Sequence, residues 1–331
     1  MNPSALPRRP PAVSVVEISD PTAIGAGIEL IDQDAMQLER MPLRARRVIV
    51  GLGASAVVYY LTNLRVRTHT SARGQMGYVT FGPNSTGTVN GLRVNAGLLL
   101  AAAPGAKASF VADAGYESIS VLLPPDEIRS HLAARGREGE FCPPRGVEAL
   151  QVQRSKARRL FAWGKHLVDA AARRPQMFED RERERRAVHV EMVELLLEIL
   201  RGSHEFPYDR SDRTRQAHLE IVDAVEAFAL AHAGDPLHVS ELCRAAGVGE
   251  RTLEYAFKDV MGLTPVAYLV RLRLHRVRRA LLAAAPRSTT VTAEALNWGF
   301  WHFGEFSRTY REFFGELPSE TLRRRAEANE A

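Results

Sequence analysis

The C-terminal third of the chain carries one pattern twice. The first copy runs Leu242-Cys243-Arg244-Ala245-Ala246-Gly247, then Thr252-Leu253, Phe257 and Gly262-Leu263-Thr264-Pro265. The second runs Glu294-Ala295-Leu296-Asn297-Trp298-Gly299, then Glu305-Phe306, Tyr310 and Gly315-Glu316-Leu317-Pro318. Gly247 and Gly299 are 52 residues apart; Phe257 and Tyr310, Gly262 and Gly315, and Pro265 and Pro318 are each 53 apart. Two helices that cross closely need a small side chain at the crossing, here Cys243 or Ala295. Four residues on, a glycine accepts the left-handed backbone of a tight turn. Val248 or Phe300 fills the angle, and the second helix buries Leu253 and Phe257, or Phe306 and Tyr310, at i and i+4. Gly262 and Gly315 end those helices, and Pro265 opens the next behind Thr264 as its cap. The pattern predicts two helix-turn-helix units in tandem, a way to read duplex DNA. A helical adaptor without nucleic-acid function is the alternative.

The neighbouring segments extend this reading. Leu219 to Ala233 carries Ile221, Val225, Phe228 and His232 along one face. Pro265 to Leu282 reads as a long helix joining the units, with Arg271, Arg273, His275, Arg276, Arg278 and Arg279 on it. Residues 213–325 hold 16 Lys and Arg against 13 Asp and Glu. So weak an excess predicts that affinity rests on placement and dimerisation rather than bulk charge.

Upstream, residues 1–19 are Pro- and Arg-rich at their start and read as a disordered tail. From 20 to 135 short β-rich runs alternate with turns. Val48–Val50, Ala56–Tyr60, Gly77–Phe81, Gly97–Ala101, Ser109–Val111 and Ile119–Leu122 are separated by signals such as Gly82-Pro83-Asn84, Asn90-Gly91 and Pro104-Gly105. Close spacing of short strands predicts a barrel or a double-sheet jelly roll. Pro124-Pro125-Asp126-Glu127 opens a helix. Residues 145–202 turn helical, with one stripe on Leu150, Leu160, Phe161, Trp163 and Leu167 and another on Val188, Met192, Leu195, Leu196, Ile199 and Leu200. These suit a partner helix or the β-domain's own core, and so dimerisation. Glu179 to Arg186 reads as a solvated helix start. The fold class is α+β: a β-rich domain, a helical linker and an all-α double helix-turn-helix domain.

The 331 residues allow two domains, and 45% hydrophobic with 25% charged residues is ordinary for a globular protein. The net charge of +5 suits nucleic acid without requiring it. Cys142 and Cys243 alone provide neither a disulfide framework nor a zinc spacing, which predicts a cytoplasmic location. No apolar run approaches a membrane span, and Met1 to Pro11 lacks the apolar core of a signal peptide.

Residues 213–325 resemble the DNA-binding domain of the AraC/XylS family of bacterial transcription regulators. Arg251-Thr252-Leu253-Glu254-Tyr255-Ala256-Phe257, Trp298 to Phe306 and Gly315 to Leu322 resemble its ethanolamine-regulator-like branch. Residues 20–135 fit more loosely the cupin-like sensor domain that such regulators place in front. The resemblance implies promoter DNA, RNA polymerase, a second copy of the chain and a small-molecule effector as partners, activator action, and no cofactor. It implies that Arg251, Glu254 and Tyr255 face DNA in the first unit, and Phe303, Gly304, Glu305 and Arg308 in the second. Arg251 and Arg308 can donate bidentately to guanine, Glu254 and Glu305 can accept from cytosine N4, and Phe303 can touch a thymine methyl or pack in the core. Lys258, Arg311 and the Arg271 to Arg279 cluster are phosphate candidates, or a solvated face. Two positions depart from the family. Glu294 stands where an aliphatic residue usually faces the core, which predicts a buried carboxylate and a loosened second unit. His238 replaces a Ser/Thr cap. Most base reading is therefore expected from the first unit and Arg308.

Other chemistry finds little footing. The ten histidines lack the close spacing of a cupin metal site, Gly51-Leu52-Gly53 lacks the rest of a phosphate loop, and Ser55 and Ser71 have no nucleophile context. No catalytic residue or metal ligand is expected, although a cupin-like enzyme with a helical appendage remains a second class. Arg40 and Arg44, four apart, could grip a cyclic dinucleotide bidentately; Arg154 and Arg158, or Arg181 and Arg185, share that spacing.

Overall fold

The computed structural model describes residues 12–24, 30–40, 42–179, 181–235, 237–285 and 288–330. In chain order the N-terminal domain contains β1 (Val13–Ile18), β2 (Ile31–Gln37), β3 (Ala45–Leu52), β4 (Ser55–Thr62), β5 (Val66–Ala72), β6 (Met76–Phe81), β7 (Gly87–Val89), β8 (Leu92–Arg93), β9 (Leu98–Ala102), β10 (Lys107–Ala112), β11 (Glu117–Leu123) and α1 (Pro125–Ala133). Then come β12 (Val147–Gln151), α2 (Arg154–Arg173), α3 (Gln176–Glu179), α4 (Glu182–Leu200) and β13 (His204–Glu205).

The strands form two antiparallel sheets, β1-β3-β4-β11-β6-β9-β12-β13 and β2-β5-β10-β7-β8. The run Ala56-Val57-Val58-Tyr59-Tyr60 on β4 is apolar throughout because both faces of its sheet are covered. Val57 and Tyr59 point outward into a core with Leu160 and Leu167 of α2 and Leu196 of α4. Val58 points inward, beside Ile31 and Ala72 of the second sheet. Helix α2 crosses β11 at Gly164, where a Cβ would lie 2.6 Å from Ile119 Cγ2.

The C-terminal helices are α5 (Arg210–Ala231), α6 (Val239–Ala246), α7 (Glu250–Met261), α8 (Pro265–Ala283), α9 (Val291–Asn297), α10 (Phe303–Phe314) and α11 (Pro318–Glu330). They pack directly on the second sheet. Met36, Leu38 and Val111 share one buried cluster with Leu219, Val222, Leu253, Phe257 and Leu272. A separate cluster of Leu274, Val277, Leu281, Ala295, Phe306, Tyr310 and Phe313 holds the second helical unit.

Several expectations change. Val13–Ile18, placed in the disordered tail, forms β1 and pairs with β3; residues 1–11 of that tail lie outside the described residues. The strands β2, β5, β7 and β8 were not among the expected runs. Leu150, expected on a helix, lies on β12, and α2 begins only at Arg154. The charge run from Glu182 onward is, as expected, the solvated start of a helix, α4.

Candidate nucleic-acid interface

Both units close as their punctuation predicts. Gly247, Gly262, Gly299 and Gly315 all take left-handed backbone, with φ of 66°, 69°, 72° and 77°. Thr264 Oγ1 accepts from the Ala267 amide at 3.2 Å, with Pro265 as first residue of α8. Thr290 caps α9 the same way at 3.1 Å. At His238 the missing hydroxyl is offset by the other half of a capping box: its amide donates to the Glu241 carboxylate at 2.9 Å.

Helix α7 turns Leu253, Ala256, Phe257, Val260 and Met261 inward, and α10 turns Phe306, Tyr310 and Phe313 inward. Their outer faces carry every residue that the family resemblance assigns to DNA. Arg251, Glu254, Tyr255 and Lys258 are exposed on α7; Phe303, Gly304, Glu305, Arg308 and Arg311 are exposed on α10. Tyr255 is 54% exposed and Phe303 40%. Phe303 starts its helix at the surface, while Phe300 and Phe306 stack at 4.9 Å beneath, so its core-packing reading falls away. The Arg251 guanidinium lies over the Tyr255 ring, 5.6 Å from the centroid, which orders both side chains outside the helix. By the 53-residue offset Lys258 and Arg311 are equivalent, whereas Gly304 stands where the first unit has Arg251. Trp301, 60% exposed beside this face, was not singled out from the sequence; an aromatic in a loop gives no periodic signal.

Glu294 is not the buried unpaired carboxylate that its position implied. It is half-buried and accepts from Thr289 Oγ1 at 2.7 Å, and the core position is filled by Ala295.

The arginines of α8 depart furthest from expectation. All but Arg273 reach the N-terminal domain. Arg276 and Arg279 both bond Asp34. Arg278 bonds Asp20 at 2.5 Å and Glu316 at 2.9 Å. Burial opposes the Asp20 charge, yet Arg278 outweighs it and holds that carboxyl below its usual range. Arg271 donates to the Leu38 and Ala267 carbonyls, and Arg273 to the Asp235 carbonyl. Neither a phosphate role nor a solvated face describes this side of α8.

Nearby, Arg67 is 2% exposed and reaches Asp223 at 2.5 Å and Glu226 at 2.8 Å. His69, Asp223 and Glu226 form the one cluster with metal-ligand chemistry among the described residues. The Arg67 guanidinium already lies on both carboxylates, so the place of a cation is taken.

The other candidates separate. Arg40 pairs with Glu312 at 3.0 Å. The Arg44 amide bonds Asn63. Neither lines the cavity of about 100 Å³ between the two sheets, whose walls include Val58, Tyr60, Val79, Leu100, Phe110 and Tyr116. Both arginines thus lie outside that cavity. Ser55, without context in sequence, meets Glu127 and His189. Ring Nε2 of His189 lies 3.3 Å from Ser55 Oγ and 2.7 Å from Glu127. One nitrogen serves both neighbours, whereas a relay needs the carboxylate on the other nitrogen. The trio ties α1 and α4 to the β3–β4 turn.

Residues 242–324 match the family model described as a helix-turn-helix domain. The chain is 37% identical over 137 residues to the probable thc operon regulatory protein of Rhodococcus erythropolis, covering 41% of each chain. It is 38% identical over 89 residues to the XylDLEGF operon transcriptional activator 1 of Pseudomonas putida, covering 27% of each. The match thus spans well under half the length of these curated relatives. A solved structure of a probable AraC family transcriptional regulator from Rhodopseudomonas palustris is 39% identical, covering 32% of this chain and 96% of that one, with a TM-score of 0.30. With its paired units and these relatives, the chain belongs to the AraC/XylS family.

Proposed function

We propose that this chain is a sequence-specific DNA-binding transcription regulator whose two recognition helices, α7 and α10, enter successive major grooves about 34 Å apart. The observation that carries the reading is the pair of outward faces, each bearing exposed arginine, carboxylate and aromatic groups; of these, Arg251, Glu254, Tyr255, Glu305 and Arg308 make no ion pair with the described residues of the N-terminal domain, whose Arg40 takes Glu312 instead. Arg251, Glu254 and Tyr255 read bases in the first unit. Arg308 and Glu305 read them in the second, where Phe303 offers a thymine-methyl contact and Gly304 admits close approach. Lys258 and Arg311 hold phosphates. Arg251 and Arg308 are the strongest discriminators, since a bidentate arginine–guanine contact contributes about 1–3 kcal/mol.

Control comes from the N-terminal domain, where the cavity between the sheets takes a small effector. Two copies of the chain pair through a face other than the apolar stripes of α2 and α4, which are buried in the domain's own core, so that two DNA-binding domains meet adjacent half-sites. The bound complex acts as an activator by contact with RNA polymerase in the cytoplasm. In vitro selection of duplex DNA by the purified full chain tests the core of this reading. An enriched motif with two sub-sites one helical turn apart is expected. Failure to enrich any duplex at low salt would return the helical adaptor as the better account.

A further inference from the structure

The N-terminal domain touches both recognition helices at the same point of the repeat. Arg65 Nη2 donates to the Val260 carbonyl at 3.1 Å, in the last turn of α7. Gln37 Nε2 donates to the Phe313 carbonyl at 3.0 Å, in the last turn of α10. Val260 and Phe313 are 53 residues apart, the offset of the repeat, and each lies two residues before the left-handed glycine that ends its helix. The last carbonyls of a helix have no partner within it. One foreign domain supplies a side-chain donor to the equivalent carbonyl in both units.

The two donors also arise from one corner of one sheet. Gln37 pairs with Val66 across β2 and β5, and the Leu38 amide donates to the Arg65 carbonyl at 2.8 Å. Both side chains are held in place. Arg65 pairs with Asp113 at 3.3 Å. Gln37 is buried and also donates to the Glu39 carbonyl at 3.1 Å. Between them Arg271, midway along the joining helix α8, donates to the Leu38 carbonyl at 2.7 Å. Arg40 adds a pair to Glu312, next to Phe313. The corner thus grips unit one, the joining helix and unit two together.

We propose that Gln37 and Arg65 are positioning residues for DNA reading: they clamp the equivalent ends of α7 and α10 to one sheet corner, so that the N-terminal domain sets the spacing of the sub-sites this chain accepts. The inference rests on the DNA-reading function proposed above. One base-pair step shifts a sub-site by about 3.4 Å along the axis, more than a hydrogen-bonded clamp tolerates. With the clamp open, the second unit pivots on α8 and accepts neighbouring spacings. Any strain on the β2–β5 corner reaches both units at once.

The test uses the full chain and duplexes in which the two selected sub-sites are moved closer or further apart in single base-pair steps. The native chain should lose roughly tenfold in affinity for each step, the value of one lost base contact. A chain carrying Gln37→Met and Arg65→Met keeps both apolar stems and loses both donors. It should fold, keep its preference within each sub-site, and lose less than about threefold per step. Restoring a donor with Arg65→Lys beside native Gln37 should sharpen the profile again. A folded double variant with the native spacing profile overturns the proposal. A native chain that binds no duplex overturns the DNA-reading function instead. The clamp is then judged without DNA, from the distance distribution between spin labels at Lys258→Cys and Arg311→Cys in a chain with Cys142→Ser and Cys243→Ala. A narrow distribution that broadens in the double variant supports the clamp, and an unchanged width refutes it.

Discussion

Replacing Glu226 by glutamine asks whether the two domains are joined by a buried ionic lock or only lie in contact. Glu226 sits on α5 and its carboxylate meets Arg67 of β5 at 2.8 Å, with the Tyr268 hydroxyl donating at 2.8 Å. Burial works against its charge, but Arg67 and His69 outweigh it, and the carboxyl titrates at about 2 instead of 4.5. That displacement is worth ~3 kcal/mol of folding stability. Because the folded value is depressed, the contribution is complete above about pH 4.5 and is lost as pH falls toward 2. In Glu226→Gln, Arg67 keeps one carboxylate partner, Asp223, whose side chain is 45% exposed, beside the His69 ring nitrogen and the Met261 sulfur. The loss should be about 3 kcal/mol at pH 7, near the lower end for a broken buried pair. Denaturant unfolding of the full chain at pH 7 and pH 3 measures it. The gap between native and variant should shrink to ~1 kcal/mol at pH 3, since most of the native advantage is then gone. Arg67→Met together with Glu226→Gln should be less harmful than Glu226→Gln alone, because no buried charge is left over. A variant within about 0.5 kcal/mol of native at pH 7, the scatter of ordinary surface substitutions, would refute the lock, as would a gap that ignores pH.

Burial pushes His275 down to about 3, and its ring lies edge-on to Phe313 and Phe314. Its stabilising effect is present above pH 6.5 and lost as pH falls toward 3, so His275→Leu should flatten the acid limb of a stability–pH curve between 6.5 and 4. Gly247→Ala meets open space and should cost about 1 kcal/mol from its positive φ alone. Gly299→Ala also meets Arg273 Nη1 at 3.0 Å and the Ala233 carbonyl at 3.4 Å, and should cost more in the same denaturant assay. On DNA, Arg251→Ala should lose about 1–3 kcal/mol and relax one base pair, whereas Lys258→Ala should weaken all sequences alike and lower the salt slope by about 1. Fluorescence anisotropy over a sequence panel at several salt concentrations separates the two.

What the sequence reveals follows from how far each signal travels along the chain. Gly247, Gly262, Gly299 and Gly315 act on their own turns, so four positive-φ positions and the buried faces of both second helices are legible from local spacing, whereas the outer residues assigned to DNA come from the family resemblance. The strand β4 is legible because covering on both faces makes it apolar. In contrast, β2 (Ile31-Asp32-Gln33-Asp34-Ala35-Met36-Gln37) and β5 (Val66-Arg67-Thr68-His69-Thr70-Ser71-Ala72) look like polar loop. Two of their charged residues answer groups more than 150 positions away, Arg67 to Glu226 and Asp34 to Arg276. No local pattern encodes such a pairing. For the same reason the arginines of α8 read as phosphate contacts. The partners of Arg276, Arg278 and Arg279 are carboxylates in the first 40 residues. Leu150 was misplaced because a five-residue strand at the edge of a helical stretch shares its apolar spacing.

The chain leaves the first sheet at Gln151, runs through α2, α3 and α4, and returns to pair β13 with β12. The whole helical excursion is therefore closed off at its base. Only residues 206–209 separate β13 from α5, and the Phe206 amide is bonded to the Ala149 carbonyl. Four residues reach at most about 14 Å. On so short a tether the C-terminal domain is held at a very high effective concentration beside the second sheet. Individually weak contacts then suffice to keep the two parts docked. An effector that separates them must act on several contacts together, while a partner gripping α2 and α4 can pull on the excursion without lengthening the path between sheet and DNA.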